Sequence, residues 1–327
     1  MRTFVKHQIS FVLAICLVLM MSLTAMAWEA PKVEKPEGLE NYPERPIDFI
    51  CGWGVGGGAD TMSRKLAELT QKYYDINLVV TNMPGAAGSK ALDHAMRQPA
   101  TGYTIFFAAW DCYMNYILGK SEFGPPHVEV ILRGMYVPGA YWVRKDSQFK
   151  TWEDVIAYSK EHPYKLKLAD VGKGGLGDLT LAIWERCTGL KLTYVPYDKP
   201  PRRYSAFAGG HTDLLYEQPG DIKHLIEEGA RPLVFMAEER LDSFPDTPVA
   251  PELGCDNTIA LWRGVGINEQ TPPEIKEYIT EILCNIGQSP EYQQFLEKML
   301  SHPDSVLCGE EADEMYNREY EAVKAIK

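Results

Sequence analysis

The sequence predicts an α/β protein of two lobes, each a mostly parallel sheet flanked by helices. Short β-rich runs alternate with segments of helical apolar spacing, the βαβ rhythm that builds parallel sheets covered by helices. The 327 residues are about two domains' worth. A glycine-rich turn also stands directly after a strand once in each half.

The first series of strands is expected at Ile47 to Cys51, Leu78 to Thr81, Thr104 to Ala109 and Val130 to Leu132. Met62, Leu66, Leu69 and Tyr73 mark the helix after the first of them. The second series is Tyr141 to Val143, Leu166 to Ala169, Leu192 to Val195, Leu214 to Tyr216 and Pro232 to Met236. Thr151-Trp152-Glu153-Asp154 reads as a capping-box start, and Asp178 to Cys187 as a helix. Thr271-Pro272-Pro273 and Ser289-Pro290 each place a cap before proline in a first turn, and Glu310 to Ile326 forms a closing helix. No low-complexity linker divides the chain, so strands must cross between lobes, near Met135 to Val143 and Leu261 to Ile267. The expected division is a signal peptide at 1–27, a Pro-, Glu- and Lys-rich leader at 28–45 with no core of its own, a first lobe at 46–138 plus 265–327, and a second at 139–264.

The signal peptide rests on Arg2 and Lys6 ahead of an uncharged apolar run from Ile9 to Leu23, with Ala25 and Ala27 at positions −3 and −1 of a cut before Trp28. An uncleaved anchor is the rival, but the run falls short of the ~20 apolar residues a span needs. Cys16 does not mark a lipoprotein, because Ile15 precedes it and the apolar run continues past it. The chain is therefore expected to be exported from the cytoplasm.

Lys plus Arg number 33 against 45 Asp plus Glu, a net charge of −12, which leaves no general basic surface for nucleic acid. Cys51, Cys112, Cys187, Cys255, Cys284 and Cys308 are either disulfide partners or small buried hydrophobes, and their spacing selects no pairing. No CxxC or HExxH spacing occurs, so no metal site is expected.

The two glycine-rich turns carry the functional reading. Gly52-Trp53-Gly54-Val55-Gly56-Gly57-Gly58-Ala59-Asp60 follows the first strand, and Gly172-Lys173-Gly174-Gly175-Leu176-Gly177-Asp178 follows Leu166 to Ala169. Each leads into a helix whose first N–H groups lack internal partners and form an anion site without a lysine. Residues 172–177 also match GxGxxG, with Asp198 placed 21 residues beyond Gly177, the pattern of a dinucleotide site. Export argues against a nicotinamide cofactor, and the strand after the first turn ends Val80-Thr81-Asn82 without a ribose-binding acid. No cofactor is expected. One anion gripped from two lobes fits both turns, since open α/β sheets bind ligands at the carboxyl ends of their strands.

With these residues in view the sequence resembles the Bug family, the periplasmic solute-binding proteins of tripartite tricarboxylate transporters. The likeness runs from Tyr42 to about Lys324, through Tyr42-Pro43-Glu44-Arg45-Pro46, Gly56-Gly57-Gly58-Ala59-Asp60, Asn82-Met83-Pro84-Gly85-Ala86-Ala87-Gly88, Gly102-Tyr103-Thr104, Val195-Pro196-Tyr197, Phe207-Ala208-Gly209-Gly210-His211-Thr212-Asp213, Glu239-Arg240-Leu241-Asp242 and Trp262-Arg263-Gly264-Val265-Gly266. It implies a two-lobed venus-flytrap fold of the type II-like periplasmic binding protein kind, closing on a carboxylate and docking to membrane permease subunits. It also implies pincers at Trp53 to Asp60 and after Tyr197, with Gly85 to Gly88 and Gly172 to Gly175 lining the cleft. This chain departs from the family at Trp53-Gly54-Val55, at Asp198-Lys199-Pro200-Pro201 and at Thr101.

The candidate ligand-binding residues are Trp53, Val55, Gly56, Gly57, Gly58, Asp60, Gly85, Ala86, Ala87, Trp110, Asp111, Lys173, Gly174, Gly175, Tyr197, Asp198 and Gln218. Trp53 and Trp110 either wall the cleft, favouring an aromatic carboxylate, or pack beneath the loops. Asp111 and Asp198 either accept from a ligand amine or hydroxyl, or cap the following turns. Arg202 and Arg203 are expected on a solvated helix face. The function expected is a non-catalytic, monomeric receptor for a di- or tricarboxylate, an aromatic carboxylate or an acidic amino acid. The alternative is an exported enzyme, a hydrolase or cofactor-loaded oxidoreductase, but no GxSxG elbow is present. A ligand-sensing adaptor on the same fold is a third reading.

Overall fold

The computed structural model describes residues 28–326 apart from 173, 174, 260 and 303. The expected signal peptide at 1–27, and the candidates Lys173 and Gly174, lie outside the described residues.

In chain order the strands are β1 (Ile47–Cys51), β2 (Leu78–Asn82), β3 (Thr104–Ala109), β4 (Val128–Val137), β5 (Ala140–Val143), β6 (Lys167–Asp170), β7 (Thr193–Pro196), β8 (Leu214–Glu217), β9 (Arg231–Phe235), β10 (Leu261–Asn268) and β11 (Leu307–Cys308). They form a six-stranded sheet in the order β11-β4-β10-β3-β1-β2 and a five-stranded sheet in the order β7-β6-β8-β5-β9. Helices flank both, as expected, but the sheets are mixed rather than mostly parallel. β1 runs parallel to β2 and β3, and β6 runs parallel to β7 and β8. β10 is antiparallel to β3 and β4, and β5 to β8 and β9. The reason lies in the crossings. A βαβ unit returns its strand parallel, whereas β5 follows β4 after only Pro138 and Gly139 and enters the other sheet reversed. The return crossing precedes Leu261, so the whole of β10 lies in the six-stranded sheet.

The Gly58–Tyr74 helix buries Met62, Leu66 and Leu69 on one stripe against the first sheet. Thr151 and Asp154 make the expected capping box, and Ser289 caps the Pro290–Lys298 helix through the Tyr292 N–H. Thr271 does not cap its helix. Pro272 takes the N-cap position ahead of Pro273, which leaves Thr271 one residue too early and buried. The leader borrows a core instead of building one. Val33, Leu39 and Tyr42 pack on the first lobe, and the Tyr42 hydroxyl donates to the Gly102 carbonyl at 2.8 Å.

The cysteines divide between the two expected roles. Cys187 bonds to Cys255 and Cys284 to Cys308, while Cys51 and Cys112 are free and buried.

Candidate functional site

Both glycine-rich turns open on one cavity of about 80 Å³. From the first sheet come Trp53, Gly57, Gly58 and Ala59 of the first turn, Ala87, Phe107 and Ala109 of β3, Asp111, and Leu261 and Arg263 of β10. The second sheet contributes Asp170, Gly175, Leu176 and Gly177 of the second turn, with Asp198, Pro200, Arg203, Tyr216, Glu217, Gln218 and Asp221. The two helix starts therefore face a shared crevice at the carboxyl ends of β1 and β6.

The approach of the two sides is close. Gly57 is the N-cap of the Gly58–Tyr74 helix, and a Cβ on it would stand 2.8 Å from Pro200 Cγ on the opposite side. A Cβ on Gly58 would overlap the Arg263 guanidinium and the Asp221 carboxylate. Glycine is required here by proximity, since the backbone of Gly57 is extended (φ −89°).

The charged groups are arranged as internal pairs. Arg203 binds Glu217, to which the Tyr204 hydroxyl also donates at 3.1 Å. Arg263 binds Asp221 and donates to Gln218 Oε1 at 3.1 Å. Arg203 is thus buried and paired instead of lying on a solvated face, while Arg202 is exposed. A helical repeat cannot distinguish a face turned to solvent from one turned to a cleft.

Two further carboxylates of the cavity form no ion pair among the described residues. Asp111 is buried at the start of the Trp110–Ile117 helix, and a Cβ on Gly175 of the second turn would stand 3.3 Å from its Oδ1. Burial, reinforced by the charge of Asp170, pushes its carboxyl up to about 7. Asp170 ends β6 and accepts from the Tyr194 hydroxyl at 2.6 Å, yet burial pushes it up to about 7 as well.

Of the candidates, Trp53, Gly57, Gly58, Ala87, Asp111, Gly175, Asp198 and Gln218 line the cavity. Trp53 does so with its ring edge against Phe107, centroids 4.9 Å apart. Gly85 and Ala86 border an adjoining hollow that shares Trp53, Ala87 and Asp198. Gly56 faces a separate hollow beside Tyr204 and His224. Val55 is exposed at the tip of its turn, and Tyr197 packs on the second lobe's core. Trp110 is core, not cleft wall, with its ring edge on Tyr113. Asp60 holds its own loop, accepting from the Gly56 N–H at 3.1 Å and Asn82 at 2.9 Å and pairing with Arg64. Burial pulls its carboxyl upward, but Arg64, Gly56 and Asn82 together hold it below its ordinary value. Asp170, Tyr216, Asp221 and Arg263 were not among the candidates. The rule that singled out Asp111, a polar residue at the cleft end of a strand, applies equally to Asp170.

Two sheets, each closing one side of a cleft with a glycine-rich helix start, define a two-lobed solute-binding protein. Residues 62–307 match the TctC model, tripartite tricarboxylate transporter family receptor, and the chain belongs to that family of periplasmic receptors. Protein BugT of Bordetella pertussis is 25% identical over 74% of this chain and 76% of its own. A TctC solute-binding protein from Polaromonas is 26% identical with a TM-score of 0.64, over 87% of this chain and 98% of that one. MatC from Rhodopseudomonas palustris with bound malate shares the fold at a TM-score of 0.78 and 20% identity, over 87% of this chain and 99% of that one.

Proposed function

We propose that this receptor captures a small organic carboxylate between its lobes and delivers it, chemically unchanged, to membrane permease subunits. The observation that carries the reading is the meeting of the two helix starts, Gly57–Gly58 and Gly175–Gly177, at one cavity. N–H groups at a helix start bind anions without a lysine, and the malate held by MatC is an anion of this class. The lobes are built around the two sheets, with the second ending before Leu261. Ligand contacts to both sides favour the closed arrangement over an open one. The protein acts as a monomer in the periplasm after removal of residues 1–27.

A thermal-shift screen of dicarboxylates, tricarboxylates, aromatic carboxylates and acidic amino acids tests the binding, because a ligand specific to the folded state raises the melting temperature. At least one class is expected to do so. A flat response across all of them would refute the reading. Amino-terminal sequencing of the exported protein is expected to begin at Trp28.

A further inference from the structure

The cavity is small, and one side chain limits its depth. Its volume of about 80 Å³ compares with ~150 Å³ for an apolar cavity that takes up benzene. A six-carbon ring or chain therefore overfills it. More room lies beyond Trp53, where the adjoining hollow measures about 230 Å³. Pro84, Gly85, Ala86, Gly88, Gly172 and Pro196 border that hollow and bring no charged side chain to it. The two spaces share Trp53, Ala87, Val171 and Asp198. Trp53 has by far the largest side chain of the four, so its indole makes the greater part of the partition.

The indole is pinned in that position. A Cβ on Gly88 would stand 2.8 Å from Trp53 Cη2, so the ring lies directly on a residue that has no side chain to yield. Phe107, only 3% exposed, meets it edge-on with centroids 4.9 Å apart. Asn82 donates to the Trp53 carbonyl at 2.9 Å and fixes the backbone beneath. Close packing of this kind resists displacement, because a shift of the ring must be taken up by its neighbours.

We propose that Trp53 sets the size limit of the solute and restricts the receptor to carboxylates of at most four carbons. This rests on the carboxylate reading above and narrows it by length. The carboxylate meets the N–H groups at Gly57–Gly58, and the remainder of the molecule is too short to pass the indole. Benzoate, citrate and six-carbon dicarboxylates run into the ring.

Calorimetric titration of the exported protein with acetate, malonate, succinate, L-malate, L-aspartate, glutarate, adipate, suberate, citrate and benzoate tests it. The tightest binder is expected among the first five, with adipate at least ten-fold weaker. Trp53→Ala joins the two spaces and is expected to raise the affinity of adipate relative to that short acid ten-fold or more. Should Trp53→Ala not fold, as judged by circular dichroism, Trp53→Phe is expected to raise the same ratio at least three-fold. A tightest binder of five or more carbons overturns this inference and leaves the carboxylate reading standing. So does a ratio that fails to rise in the folded variant, including one in which adipate binding stays undetectable, since a merely structural tryptophan would weaken both acids alike. Binding of none of the ten acids overturns the carboxylate reading and this inference with it.

Discussion

Arg263 on β10 of the first sheet and Asp221, which follows β8 of the second, form an ion pair across the cleft with their side chains 5% and 3% exposed. Burial raises the Asp221 carboxyl above its ordinary range against the pull of Arg263. Asp221→Ala strands a guanidinium, which costs ~3 to 5 kcal/mol where burial persists. Opening of the cleft rehydrates Arg263, so the expected outcome is a larger radius of gyration by small-angle scattering with a smaller loss of stability. Unchanged dimensions and an unchanged denaturation midpoint would count against the pair as a latch.

Gly57→Val separates closure from folding. The extended backbone at Gly57 accepts a β-branched residue, but the added carbon meets Pro200 Cγ. Ligand affinity is expected to fall at least ten-fold while the melting temperature stays within a few degrees. Normal affinity in this variant would show that the first turn does not meet the solute.

Gly177→Ala crowds the start of the second lobe's helix. Its methyl group overlaps the Asp170 carboxylate, and overpacking of this kind costs ~1 to 3 kcal/mol. Urea denaturation is expected to show a lower midpoint, and Asp170→Asn in the same background does not restore it, because the amide occupies the same volume.

The pH dependence has a definite sign. Asp111 and Asp170 are held at about 7 when folded, against an ordinary 3.8, so the folded protein binds more protons than the unfolded chain between those values. Their contribution to stability is complete below the ordinary value and is lost as pH rises through about 7. The difference in unfolding free energy between the native protein and Asp111→Asn/Asp170→Asn, followed from pH 4 to 8, is expected to shift steadily in the variant's favour. A pH-independent difference would mean the two carboxyls titrate normally.

Much of this was legible along the chain. β1 and β3 have the ends their β-rich runs imply, because the glycines and Trp110 that bound them are local signals. The two turns were equally legible, since glycine at close approach leaves its mark in the sequence itself. The antiparallel halves of the sheets were not, because β10 finds β4 only through long-range pairing. Arg203 was misplaced for a related reason: amphipathic spacing reports which residues share a face, and the neighbour of that face is Glu217 on another element. The disulfide between Cys187 and Cys255 likewise joins positions 68 residues apart.

That bond has a consequence for how the protein is made. Correct maturation couples Cys187 to Cys255 and Cys284 to Cys308 while sparing Cys51 and Cys112, both of which end up shielded inside the first lobe. A chain oxidised before that lobe has consolidated offers Cys51 and Cys112 as competing thiols, and mispaired molecules need an isomerase to recover. Supply of working receptor therefore depends on the order of events after export, with lobe assembly ahead of thiol oxidation.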